Sequence, residues 1–199
     1  MLGILIISCL IAGSFSETFH PGPCPNVRTK QQIDLNKMKG TWYSYQRCTN
    51  DWDNLEKCGN VNWSEPKNGV SLVRYTSDSK LSNKTSALDA EVSMADDNSL
   101  SYNLHLPIIG KLVQKHWFLD IDYNNYAIVI SCENRGTQHY LRVWIFTRKP
   151  VPIINMEEKT RRAFLSCGLF PPELVKIDQQ SCSYNFDQRR VSDGGDQQY

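Results

Sequence analysis

Residues 100–148 read LSYNLHLPIIGKLVQKHWFLDIDYNNYAIVISCENRGTQHYLRVWIFTR, and this stretch decides the fold. It holds four apolar-rich runs, at 100–106, 112–121, 126–132 and 138–147. Between them stand turn residues: 107–110 around Pro107 and Gly110, then Tyr123-Asn124-Asn125, then 133–137 around Gly136. Short runs at this spacing, each closed by a turn, predict consecutive antiparallel strands. Alternate side chains of a strand share a face. In 138–147 one set is Tyr140, Arg142, Trp144 and Phe146, and the other His139, Leu141, Val143 and Ile145. Both are largely apolar, so period alone does not choose between them. In 112–121 the set Val113, Lys115, Trp117, Leu119 and Ile121 is more apolar than Leu112, Gln114, His116, Phe118 and Asp120. It is therefore the better candidate for the interior.

The same pattern continues toward the N-terminus. Strands are predicted over 41–48, 61–64, 70–76 and 86–94, with polar loops at 50–57 and 77–83 and a tight-turn signal at Asn68-Gly69. The fold class is all-β: eight antiparallel up-and-down strands with too little helix to cover them, which close into a barrel because closure removes both edges. One helix is expected outside the barrel, capped by Asn155, with Glu157 and Glu158 in its first turn and Gly168 and Pro171-Pro172 beyond its end. Ala163, Phe164 and Leu165 could press it onto the wall, and 174–177 reads as one weak further strand. An eight-stranded barrel is either filled by its own side chains or holds one small ligand. Trp42, Trp117 and Trp144 are compatible with both outcomes, as packed core or as the lining of a pocket.

The ends of the chain bear on compartment. Residues 1–16 carry a short apolar segment followed by Ser14-Phe15-Ser16, the pattern of a signal peptide, although no Lys or Arg follows Met1. Residues 17–184 form the expected domain, opening with a Pro-rich extended arm, and 185–199 a polar, loose C-terminal tail. Cys9 leaves with the signal, and six cysteines remain, an even number that implies disulfides in a secreted, extracellular protein. Asn62-Trp63-Ser64 and Asn83-Lys84-Thr85 are acceptor sequons for N-glycans. The net charge of +1, from 22 basic and 21 acidic residues, offers no stripe for nucleic acid. There is no Cys-x-x-Cys, so no metal site is expected, and the histidines at 20, 105, 116 and 139 form no catalytic motif. The chain is not expected to be an enzyme, and His116 and Lys115 read as rim or surface residues.

Three motifs, taken together, resemble the lipocalin family. Gly40-Thr41-Trp42 matches its Gly-x-Trp. Asp122-Tyr123-Asn124-Asn125-Tyr126-Ala127 matches its second motif, with Ile121 where Thr is usual. Trp144-Ile145-Phe146-Thr147-Arg148 matches the end of its last barrel strand. Each is weak alone, but their order, their spacing and the following helix are specific. Residues 19–25 and 126–132 narrow the resemblance to the apolipoprotein D-like branch, which includes insect bilin-binding proteins and the crustacyanin subunits. It covers roughly residues 19–183.

The resemblance implies that Arg148 lies across the Trp42 indole, beside Gly40, and shuts one end of the barrel. It places Trp117 and Trp144 toward the calyx, and by alternation Leu119, Phe146, Val129 and Ser131 follow as lining. It implies disulfides Cys24–Cys132 and Cys58–Cys182. Cys48 and Cys167 are then left over: they pair with each other, stay as thiols or bond another chain, and pairing requires the first barrel strand to end or bulge before Cys48. Arg142 has two readings, a partner for a ligand carboxylate or a solvated rim residue. Leu106, Pro107, Ile108 and Ile109 form an apolar tip at the open end, either a contact for lipoprotein or a membrane surface, or a lid. The implied function is extracellular binding and transport of a small hydrophobic ligand, such as biliverdin or another pigment, a retinoid, a fatty acid or a related lipid. No cofactor is required. The alternative is a protein- or lipoprotein-interaction module acting through the open-end loop, with no stored ligand.

Overall fold

The computed structural model describes residues 19–48, 55–106, 110–182 and 184. The expected signal peptide, the expected tail, and Pro107, Ile108 and Ile109 lie outside the described residues. The elements in chain order are strand β1 (Phe19–Pro21), helix α1 (Leu35–Met38), strands β2 (Gly40–Cys48), β3 (Glu56–Trp63), β4 (Val70–Ser79), β5 (Thr85–Met94), β6 (Leu100–Leu106), β7 (Gly110–Asp122), β8 (Tyr126–Arg135) and β9 (Gln138–Thr147), helix α2 (Met156–Ser166) and strand β10 (Leu174–Lys176).

Local chemistry sets where the strands reverse. Asn68 and Gly69 both take positive φ, 52° and 77°, between the bridged residues Lys67 and Val70. Two left-handed residues in a two-residue loop match the right-handed twist of the flanking strands, and Asn and Gly tolerate that conformation at least cost. Strands β2 to β9 each pair antiparallel with the next, and β2 pairs again with β9 through Tyr43–Arg47, closing an eight-stranded barrel. The strands are longer than the sequence suggests at both ends of the loops. β3 begins at Glu56, within the stretch read as a polar loop, and β4 runs on to Ser79, because ladder pairing with a neighbour holds polar residues in extended form.

The two short strands cover edges that closure leaves bare. β9 pairs with β2 over one half and with β1 over the other, through Phe19↔Tyr140 and Pro21↔Gln138. β2 and β3 pair only over Gly40–Tyr43, and where they part β10 pairs with β2 from Leu174↔Cys48 to Lys176↔Gln46. Gln179 then spans the gap, its Nε2 donating to the carbonyls of Ser44 at 2.7 Å and Gly59 at 2.9 Å.

Apolar burial falls into two clusters. One lies inside the barrel and includes Trp42, Trp63, Val92, Leu100, Phe118 and Val129, together with Leu35 and Met38 of α1. The other lies between the outside of β7–β9 and α2, and includes Leu119, Ile128, Ile130, Val143, Ile145 and Phe164. β8 therefore buries both faces, which is why 126–131 reads as an unbroken apolar run apart from Ser131. Helix α2 is bounded as its sequence implies. Asn155 Oδ1 accepts from the Glu158 amide at 3.1 Å. At the other end the Leu169 amide donates to Phe164 O and the Gly168 amide to Leu165 O, both at 3.0 Å, with Gly168 in the left-handed region. Helix α1 is a departure: the arm read as wholly extended ends in one helical turn, capped by Asp34, that buries Leu35 and Met38 at the base of the barrel.

Disulfides Cys24–Cys132 and Cys58–Cys182 tie the arm to β8 and β3 to the C-terminal segment, over sequence separations of 108 and 124. Loops of that length are worth roughly 4–5 kcal/mol each in the chain-entropy account. β2 does bulge, between Ser44 and Gln46, and this turns Cys48 outward into the cluster under α2, where Cys167 also packs. No disulfide joins Cys48 to Cys167.

Candidate functional site

At one end the barrel is shut. Trp42, 1% exposed, donates from Nε1 to Met38 O at 2.8 Å. The Arg148 guanidinium lies 3.8 Å above its ring centre. That guanidinium also donates to five backbone carbonyls: Tyr123 at 2.9 Å, Lys37 at 3.0 Å, Lys39 and Thr41 at 3.1 Å, and Met38 at 3.5 Å. It thus gathers the end of α1, the start of β2 and the β7–β8 turn around one cation. Gly40 sits at φ +96°, and a Cβ there would stand 3.5 Å from Arg148 Nη1. Any other residue at position 40 would be strained by the backbone even though that contact is an ordinary one.

Above this plug lies a cavity of about 300 Å³. Its lower wall is apolar: Met38, Trp42, Val61, Val73, Phe118, Ala127 and Phe146. Halfway up, four rings run around one side. Trp63 meets Tyr102 edge-on at 6.0 Å, Tyr102 stacks on His116 at 4.0 Å, and His116 stacks on Trp144 at 5.0 Å. His116 and Trp144 stand on β7 and β9 with β8 between them. Their rings meet because β8 turns only small side chains to that face: Ser131 opposite His116, and Val129 opposite Trp144. Toward the mouth the lining becomes polar, with Gln114, Arg47 and Glu56.

The electrostatics follow from enclosure. The barrel wall surrounds His116 even though its ring borders the cavity. Burial, and then the positive charge of Arg142, push its pKa down to about 3. The imidazole is therefore neutral at physiological pH, with one donor and one acceptor nitrogen, and its Nε2 lies 3.5 Å from Gln114 Oε1. Burial pushes the Tyr102 phenol well above its ordinary range, and does the same to Tyr75, helped by the Glu56 carboxylate. Arg47 and Glu56 form an ion pair at 3.2 Å.

Of the residues singled out in the sequence, Trp144 and Phe146 border the cavity. Trp117 and Leu119 do not. They face outward, Leu119 in the cluster under α2 and Trp117 packed against it, while Gln114, His116 and Phe118 face in. The expectation for β7 is thus reversed. The more apolar set is needed outside because α2 and the arm cover that wall, whereas the cavity side tolerates Gln and His. Val129 and Ser131 are buried on the interior face of β8 without bordering the cavity. Arg142 is turned onto the Tyr140 ring, 4.4 Å from its centre, with Glu133 at 3.6 Å. Leu106 is half-buried at the end of β6, and the sequon residues Asn62 and Asn83 are exposed. Sequence reasoning missed Trp63, Tyr102, Arg47 and Glu56. The first two were within reach, since Leu100, Tyr102 and Leu104 alternate cleanly with Ser101, Asn103 and His105, and Trp63 follows Val61 by two. Among the described residues no group of three or more side chains could hold a metal ion.

No family profile matches the chain. It is 28% identical to bovine (Bos taurus) apolipoprotein D over 165 residues, 75% of this chain and 81% of that one. It is 24% identical over 162 residues to the bilin-binding protein of Pieris brassicae, 78% of this chain and 82% of the other. Among solved structures, lobster apocrustacyanin A1 superposes with a TM-score of 0.70 at 20% identity, covering 85% of this chain and 96% of that one.

Proposed function

The chain is a lipocalin of the apolipoprotein D-like branch, and from that premise we propose that it binds and carries a small hydrophobic molecule in its barrel, outside the cell. The observation that carries this reading is the cavity itself: apolar below, aromatic along one wall, polar at one end and plugged at the other. Ligand sites have this character, mostly apolar with a few placed polar groups. A relative named for binding a bilin supports the same use of the fold. Two disulfides that each join distant segments form and persist in an oxidising compartment, which supports secretion.

Size refines the ligand. About 300 Å³ stands at the lower bound of the ~300–1,000 Å³ range of small-molecule sites. One extended chain or one flat ring with a tail, of retinoid or fatty-acid dimensions, matches it more closely than a four-ring bilin. The row of Trp63, Tyr102, His116 and Trp144 offers edges and faces for a conjugated or flat group to lie along. The reading is of a carrier rather than an enzyme, in line with a relative named for binding a bilin. The test is to fill the space. Ala90 borders the cavity and is buried. Ala90→Trp is expected to weaken all-trans-retinol binding, read by tryptophan quenching, by about tenfold or more, with the far-UV spectrum unchanged. Affinity equal to wild type would place the ligand elsewhere and overturn the carrier reading.

A further inference from the structure

Two irregularities on neighbouring strands act together at the cavity mouth. On β2, Trp42 faces in, and regular alternation would send Cys48 in and Arg47 out. The bulge between Ser44 and Gln46 reverses this. On β3, Val61 and Trp63 border the cavity, and regular alternation would bring Lys57 in and leave Glu56 out. Cys58 sits at φ 59° within a register shift between Lys57 and Asn60, so Glu56 borders the cavity instead. Bulges re-aim side chains, and here each of two bulges aims one charge inward, of opposite sign, 3.2 Å apart.

We infer that this pair sets the class of ligand head group: the mouth selects an uncharged polar head, a hydroxyl or carbonyl, over a carboxylate or an amine, with Glu56 as the residue that determines the choice. The inference rests on the carrier reading. Among the described residues that border the cavity, Arg47 and Glu56 carry the formal charges, and they are of opposite sign. Arg142, whose charge reaches His116, is matched by Glu133 and laid on Tyr140. A carboxylate entering the mouth meets Glu56 as closely as it meets Arg47, and an ammonium meets the reverse. Discrimination of this kind comes from the repulsive partner as much as from the attractive one. An uncharged head leaves the pair intact and finds Gln114 and the neutral His116, which together donate and accept.

The test uses all-trans-retinol and all-trans-retinoic acid, identical but for the head, titrated into the secreted protein and followed by tryptophan quenching. Wild type is expected to bind the alcohol about tenfold tighter than the acid. Glu56→Gln is expected to raise affinity for the acid by about tenfold and leave the alcohol within about threefold. The double variant Arg47→Gln, Glu56→Gln, neutral again, is expected to return to preference for the alcohol, and it stands as the check that the effect is charge and not damage. An acid that binds wild type as tightly as the alcohol overturns the head-group inference alone, as does a Glu56→Gln change that shifts both ligands equally. Failure of both ligands to bind wild type overturns it together with the carrier reading.

Discussion

Removing the cation from the base of the barrel is the sharpest perturbation available. In Arg148→Gln the stacking on Trp42 at 3.8 Å is lost, along with the fork that reaches five carbonyls. A cation–π contact with a largely desolvated indole is worth ~0.5–2 kcal/mol. The bonds to Tyr123 O and Thr41 O are part-buried and contribute about 1 kcal/mol each, while the more exposed carbonyls of Lys37 and Lys39 turn to water at little cost. The total is about 3 kcal/mol, or a fall in Tm of about 6–12 °C for a domain of this size. Arg148→Lys keeps a charge near the indole but has no planar fork, so it should lose about half as much. Equilibrium urea unfolding with the disulfides intact, followed by tryptophan emission, measures both variants. The reasoning is refuted if Arg148→Gln costs under about 1 kcal/mol, or if Lys at 148 is no better than Gln.

Two further outcomes are expected. Trp117→Phe should leave retinol affinity within about twofold of wild type, since the indole packs outside the barrel, whereas Trp144→Phe should remove most ligand-dependent quenching; equal effects would return Trp117 to the cavity. Acid should weaken the fold through His116. The unfolded chain takes up a proton near pH 6.5 that the native ring refuses until about pH 3, so stability falls as pH drops through that window. The slope from this group is at most about 1.4 kcal/mol per pH unit. Between pH 6.5 and 5, His116→Gln should therefore spare about 2 kcal/mol of the wild-type loss in urea denaturation, and an unchanged pH slope would refute the burial of a neutral ring.

The turn chemistry made the order of strands legible. Asn68-Gly69, Tyr123-Asn124-Asn125 and the caps of α2 each name a reversal or an end by the conformation their residues accept. What alternation could not supply was the sidedness of β7. Trp117 and Leu119 look like interior residues because sequence reasoning equates apolar with inside, and in this barrel the wall of β7–β9 is greasy on both faces. The polar set Gln114 and His116 was discounted for the same reason. The charges at the mouth were unreadable for a different one. Arg47 and Glu56 reach the cavity only because of bulges, and a bulge is decided by pairing with neighbours far along the chain rather than by local sequence. The outward turn of Cys48 has that same origin.

The insertion of Gln179 between two strands, bonded to carbonyls 135 and 120 residues earlier, has a consequence for biogenesis. The barrel wall stays split until its last segment has been made, so folding cannot finish while the ribosome still holds that segment. A chain cut short before Leu174 would present the bare rims of β2 and β3 to its neighbours, and such rims invite intermolecular pairing. Truncated copies are therefore expected as aggregates rather than as soluble, weakened barrels.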